Sequence, residues 1–129
     1  MEIVFTPTGE PLLVEADKSR MFEVLSNLVR NAIKFTKEGT IALTLDVVDG
    51  NAVVKIKDTG RGIDPDIMPA LFTKFASKSE SGTGLGLFIA RSIVEAHGGR
   101  ISGENNPDGR GATFTFSLPI LVKKKELSR

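Results

Sequence analysis

Residues 21–35 read Met21-Phe22-Glu23-Val24-Leu25-Ser26-Asn27-Leu28-Val29-Arg30-Asn31-Ala32-Ile33-Lys34-Phe35. Met21, Phe22, Val24, Leu25, Leu28, Val29, Ala32 and Ile33 recur at spacings of three and four, the period of a helix with one apolar stripe turned to a core. Asp17 is placed to cap its N-terminus, which gives a helix of about five turns, ended by Gly39. Asn27 and Asn31 are four apart and Lys34 follows three later, so these polar side chains project along one face beside the stripe.

Outward from this helix, residues 40–48 and 52–57 carry alternating β-branched side chains on either side of Asp49-Gly50-Asn51, the pattern of a hairpin. Upstream, residues 3–5 and 12–14 read as two short strands joined by a Pro- and Gly-punctuated turn. Downstream, Asp64 and Pro65 open a short helix with Ile67, Met68, Leu71 and Phe72 on its apolar side. Residues 73–83 are polar, rich in Ser and Lys and aperiodic, and read as a mobile loop and candidate lid. A second long helix is expected from about residue 84 to residue 97, stopped by Gly98-Gly99. Residues 100–103 and 112–118 supply two more strands around Pro107-Asp108-Gly109. Strands that arrive as hairpins separated by single helices predict an α/β (α+β) two-layer sandwich, with a mixed, mostly antiparallel sheet covered on one face by about three helices. One domain is expected over residues 1–121 and a polar tail over 122–129.

The 129 residues, 40% hydrophobic and 26% charged with net charge +1, fit a single globular domain. No run approaches the roughly 18 apolar residues of a membrane helix and no signal-peptide pattern opens the chain, so it is expected to be soluble, cytoplasmic and free of membrane contact. The absence of cysteine excludes disulfides, zinc knuckles and thiol nucleophiles, and one histidine leaves no cluster for a transition metal. Any metal must be hard and held by oxygen. With 17 basic against 16 acidic side chains and neither Trp nor Tyr, nucleic acid is not an expected partner.

Glycines cluster at 60/62, 82/84/86 and 109/111. Such positions let backbone N–H groups approach an anion, and the second cluster opens into a helix whose N-terminal amides favour phosphate. The spacing matches neither G-x-G-x-x-G nor G-x-x-x-x-G-K-[ST], so Rossmann and P-loop sites are not supported. The amide oxygens of Asn27 and Asn31 suit magnesium and Lys34 adds a charge for phosphates; a plain solvated helix face is the alternative. Asp58 closes an apolar strand before a glycine turn, where its carboxylate can accept from a base amino group or simply serve the turn.

Taken together these segments resemble the catalytic, ATP-binding domain of sensor histidine kinases, the Bergerat-type fold shared with DNA gyrase, the Hsp90 chaperone and the MutL repair protein. Residues 27–36, Asn27 through Thr36, are similar to the N box. Asp58-Thr59-Gly60-Arg61-Gly62-Ile63 resembles the first glycine box and Leu71-Phe72-Thr73-Lys74-Phe75 the F box. Gly82-Thr83-Gly84-Leu85-Gly86-Leu87 and Gly109-Arg110-Gly111-Ala112-Thr113-Phe114 resemble the second and third glycine boxes.

The resemblance implies Mg-ATP as ligand. Asp58 would bond the adenine amino group, Thr113 would reach the ring through water, and Gly60, Gly62 and Ile63 would shape the base pocket. Asn31 is similar to the magnesium-binding asparagine, with Asn27 beside it. Lys34, Phe35 and Lys78 would lie near the phosphates, as would Gly82, Thr83, Gly84, Leu85 and Gly86, with residues 63–82 as the ATP lid. Phe35 departs from a frequent tyrosine and Lys78 from a frequent arginine. The relatives that hydrolyse ATP carry a glutamate where this chain has Asn27, and an amide is no general base. The implied function is therefore donation of the γ-phosphate to a histidine on a separate dimerisation domain, with a response regulator downstream. A nucleotide-gated binding module of the anti-sigma type is the alternative. The implied setting is cytoplasmic, or the cytoplasmic part of a membrane-bound sensor, with the isolated domain a monomer. His97 reads as a helix-end residue, and no residue here is nominated as nucleophile.

Overall fold

In the computed structural model, which describes residues 2–6, 16–74 and 85–120, Asp17 caps helix α1 (Lys18–Phe35) by accepting from the Arg20 amide at 3.1 Å. The remaining elements are strands β1 (Glu2–Thr6), β2 (Thr40–Val48), β3 (Asn51–Asp58), β4 (Arg100–Asn105) and β5 (Ala112–Pro119), and helix α2 (Gly86–Ala96). One five-stranded sheet has the order β1-β2-β3-β5-β4, with β1 parallel to β2 and every other pair antiparallel. The sheet is therefore mixed and mostly antiparallel, as expected. β1 runs beside β2 across the α1 crossover, while its expected hairpin partner at 12–14 lies outside the described residues. So do residue 121, the tail, residues 75–82 of the lid, and residues 83 and 84.

The two layers meet along period-two rows of side chains. Ala112, Phe114, Phe116 and Leu118 of β5 are buried and stand in register with Ile56, Val54 and Ala52 of β3 (Phe114 with Ile56, Phe116 with Val54, Leu118 with Ala52). Val24, Leu28 and Ala32 of α1 and Ala90 and Val94 of α2 close on this face. The stripe read from sequence is too wide: Phe22 is 72% exposed and Ile33 40%. At about 100° per residue Ile33 lies half a turn round from Val24, and a sheet on one side cannot cover both. Leu28, 0% exposed, sits at the centre of the contact, and Leu28→Ala should lower stability by about 3–5 kcal/mol in urea unfolding.

The helix layer contains two α-helices among the described residues rather than about three. The segment opened by Asp64 forms only a 3-10 turn, Met68–Ala70, because Pro69 has no N–H to return to the first turn. α1 ends at Thr36, whose amide bonds Ile33 O at 3.3 Å, so Gly39 is not its terminator. The hairpin turn is two residues long, with Asp49 and Gly50 both at positive φ (49° and 78°) and Asn51 already in β3. α1 and α2 run antiparallel, and His97 ties their far ends. Its Nε2 accepts the Asp17 amide at 3.1 Å, so Nδ1 carries the proton and donates to Ile93 O at 2.8 Å. The lone histidine is a structural clasp. Among the described residues, no helix is long and apolar enough to cross a membrane.

Candidate nucleotide site

The two-residue alternation of β3 carries Asp58 onto the helix-covered face, on the row of Val54 and Ile56, and leaves it 2% exposed. Its Oδ1 accepts the amides of Gly60 at 2.9 Å and Ala112 at 3.2 Å. Its Oδ2 has no partner among the described residues, so one oxygen is fixed by the fold and the other remains an acceptor. Around it the backbone is packed without room for side chains. A Cβ on Gly60 would stand 2.1 Å from Phe35 O, and one on Gly111 2.0 Å from Asp58 O. Gly60 thus lets the loop after β3 lie directly on the end of α1, where the Arg61 amide bonds Phe35 O at 3.2 Å.

The N-box face of α1 meets the start of α2. Asn27 Oδ1 lies 3.7 Å from where a Gly86 Cβ would be, and Asn27 Nδ2 is buried without a partner among the described residues. Amide oxygens and helix-start N–H groups therefore come together there, a set that suits phosphate and a hard cation. Asn31, half-buried, follows one turn on along α1, then Lys34 and Phe35. Leu85 stands at the N-cap of α2. Lys78, Gly82, Thr83 and Gly84 lie outside the described residues.

Thr113 faces away from Asp58. It pairs with Lys57 on the opposite face of the sheet from Ala112 and Phe114, and its hydroxyl donates to Asn106 Oδ1 at 2.5 Å. The alternation turns Ala112, not Thr113, to the face of Asp58. Two residues were missed. Asn106, 5% exposed, donates through Nδ2 to Asp58 O at 2.9 Å and Arg110 O at 2.7 Å, locking the third glycine box to the end of β3. Asn105 accepts from the Ile63 amide at 2.7 Å and donates to Ile63 O at 3.0 Å, fixing the residue that follows Gly62. Paired amides immediately before Pro107-Asp108-Gly109 are the available signal. A separate open depression of about 520 Å³ on the other flank of α1, lined by Phe22, Leu25, Ser26, Val29 and Arg30, holds none of the site residues.

A family profile described as "Histidine kinase-, DNA gyrase B-, and HSP90-like ATPase" matches residues 16–122. The chain is 40% identical over 128 residues to the sensor histidine kinase ZraS of Klebsiella oxytoca, covering 96% of this chain and 28% of that protein, so it spans about a quarter of the relative's length. It is also similar to the solved catalytic domain of histidine kinase ThkA, with a TM-score of 0.81 and 38% identity over 92% of this chain and 78% of that one. Full-length ShkA, solved in complex with AMPPNP, is similar with a TM-score of 0.81 and 33% identity over 92% of this chain and 25% of that one. With the fold, the glycine boxes and the buried Asp58 already in place, the chain belongs to the histidine kinase-, DNA gyrase B- and HSP90-like ATPase family, on the side of the histidine kinase catalytic domains.

Proposed function

We propose that this chain binds Mg-ATP and donates its γ-phosphate to a histidine on a separate dimerisation domain, in cytoplasmic two-component signalling with a response regulator downstream. The observation that carries this reading is the buried Asp58 carboxylate, whose Oδ1 is fixed by two amides while Oδ2 stays open to an exocyclic amino group. The AMPPNP bound in the similar ShkA structure supports an ATP-type ligand.

In this reading Gly60, Gly62 and Ile63 form the base pocket around Asp58. Asn31, aided by Asn27, would hold magnesium. The ion, when bound, neutralises and orients the phosphate chain. Lys34, Phe35, Leu85 and Gly86 border the phosphates, joined by Lys78, Gly82, Thr83 and Gly84 of the lid. The chain's residues act by binding and positioning, since Asn27 offers no general base and turnover without a partner should be slow.

Calorimetry with an ATP analogue, with and without magnesium, should show binding that strengthens with the metal in the parent and loses that dependence in Asn31→Ala. Labelled ATP mixed with a purified histidine-containing dimerisation domain should then yield phosphohistidine. ATP binding without phosphohistidine on any partner tried would sink the transfer reading and favour a nucleotide-gated binding module.

A further inference from the structure

The sequence between the first two glycines of the Asp58 loop places an arginine, Arg61, that the reading above does not use. Its guanidinium carbon lies 4.4 Å from the centroid of the Phe35 ring, and the Lys34 ammonium lies 5.5 Å from the same ring. The main chain is held as well, since the Arg61 amide donates to Phe35 O at 3.2 Å. Gly60 permits this contact, because a Cβ there would collide with Phe35 O at 2.1 Å. The position of the guanidinium thus follows from a tight loop seated on a helix end.

Among the described residues, neither cation has a carboxylate partner. The ion pairs among the described residues are Arg20 with Glu23 and Arg91 with Glu95, and among these residues the side chains of Lys34 and Arg61 have no partner beyond the Phe35 ring. Two positive charges without a carboxylate partner among the described residues therefore share one aromatic ring at the end of the α1 face that carries Asn27 and Asn31. That end of a helix is otherwise a poor place for an anion, since its free carbonyls carry partial negative charge. Lys34 and Arg61 reverse the local sign. A guanidinium held over a ring by its face keeps its N–H groups available, and these can grip phosphate oxygens in pairs, while an ammonium offers a point charge.

We propose that Arg61 is a polyphosphate-contacting residue of the nucleotide site, positioned by the Phe35 ring and acting beside Lys34. The proposal rests on the nucleotide reading and adds a second cation to it. It also gives Phe35 a use without the hydroxyl of a tyrosine, as the platform that aims the guanidinium.

The test is calorimetric titration of the parent, Arg61→Ala and Arg61→Lys with ATP, ADP and adenosine, each variant first checked by circular dichroism; Arg61 is exposed, so the fold should persist. Arg61→Ala should bind ATP and ADP about tenfold more weakly, with adenosine unchanged and a shallower salt dependence for ATP. Arg61→Lys should recover part of the loss. Equal ATP affinity in parent and Arg61→Ala would overturn the proposal, as would a parallel loss for adenosine, which would make Arg61 a support of the base pocket. A parent that binds neither ATP nor adenosine would instead overturn the nucleotide reading itself.

Discussion

Asp58→Asn should leave a folded protein whose ATP affinity is at least about 100-fold lower, a loss of about 2.7 kcal/mol. The amide oxygen can still take the Gly60 and Ala112 N–H groups that Asp58 Oδ1 holds at 2.9 and 3.2 Å. The other oxygen becomes an NH₂, which meets the adenine amino group donor to donor. A site built to accept a hydrogen bond rejects a mismatched partner strongly because its buried polar groups are left unpaired. The charge-assisted bonds to the two amides also weaken, so a stability loss of about 1–2 kcal/mol should accompany the change. A 6-oxo purine such as inosine triphosphate should lose far less, since its carbonyl can accept from the new amide. Calorimetry with both nucleotides reads the result, and an ATP affinity within threefold of the parent would place the base elsewhere.

Gly111→Ala should be the most damaging single methyl in the described structure near this site. Gly111 has φ of +76°, and a Cβ there would stand 2.0 Å from Asp58 O and 2.6 Å from Asp58 Oδ1. The left-handed conformation alone costs about 1–2 kcal/mol for an L-residue, and displacing β3 from β5 adds about 1–3 kcal/mol more. The sum of about 2–5 kcal/mol should lower the melting temperature by roughly 10 °C or more. Gly109 is the control: its φ is +80°, with nothing within 4 Å of its added Cβ, so Gly109→Ala should show the conformational cost alone, about 1–2 kcal/mol. Equal melting temperatures for the two variants would refute the role of close packing against Asp58.

The parts of this structure that were legible in the sequence are the ones decided locally. Asp17, the three-four spacing after it and the Asp49-Gly50 turn act over a few residues, and the helix, cap and hairpin follow from them. The glycine boxes were legible as a set because their order along the chain, rather than any one spacing, carries the resemblance. What the sequence concealed depends on register between distant strands. Ala112 and Thr113 are equally plausible neighbours of Asp58 until the pairing of Lys57 with Thr113 assigns them to opposite faces. Asn105 and Asn106 look like turn residues until β4 sets one against Ile63 and the other against the Asp58 carbonyl. Phe22 and Ile33 fit the helical period, yet the single sheet layer reaches only one side of α1.

The bond from the Ala112 amide to Asp58 spans 54 positions and that from Asn106 spans 48, which makes the setting of the Asp58 carboxylate a product of chain closure. A growing chain that has made α1, the hairpin and the first two glycine boxes has most of the site's residues, yet Oδ1 of Asp58 then holds only the Gly60 amide. Only when β5 adds itself between β3 and β4 does Oδ1 gain its second amide, from Ala112, and the carboxylate its fixed setting. Loop closure over such a distance comes late and slowly relative to local turns, so the buried, two-amide form of this carboxylate arrives with the last strand.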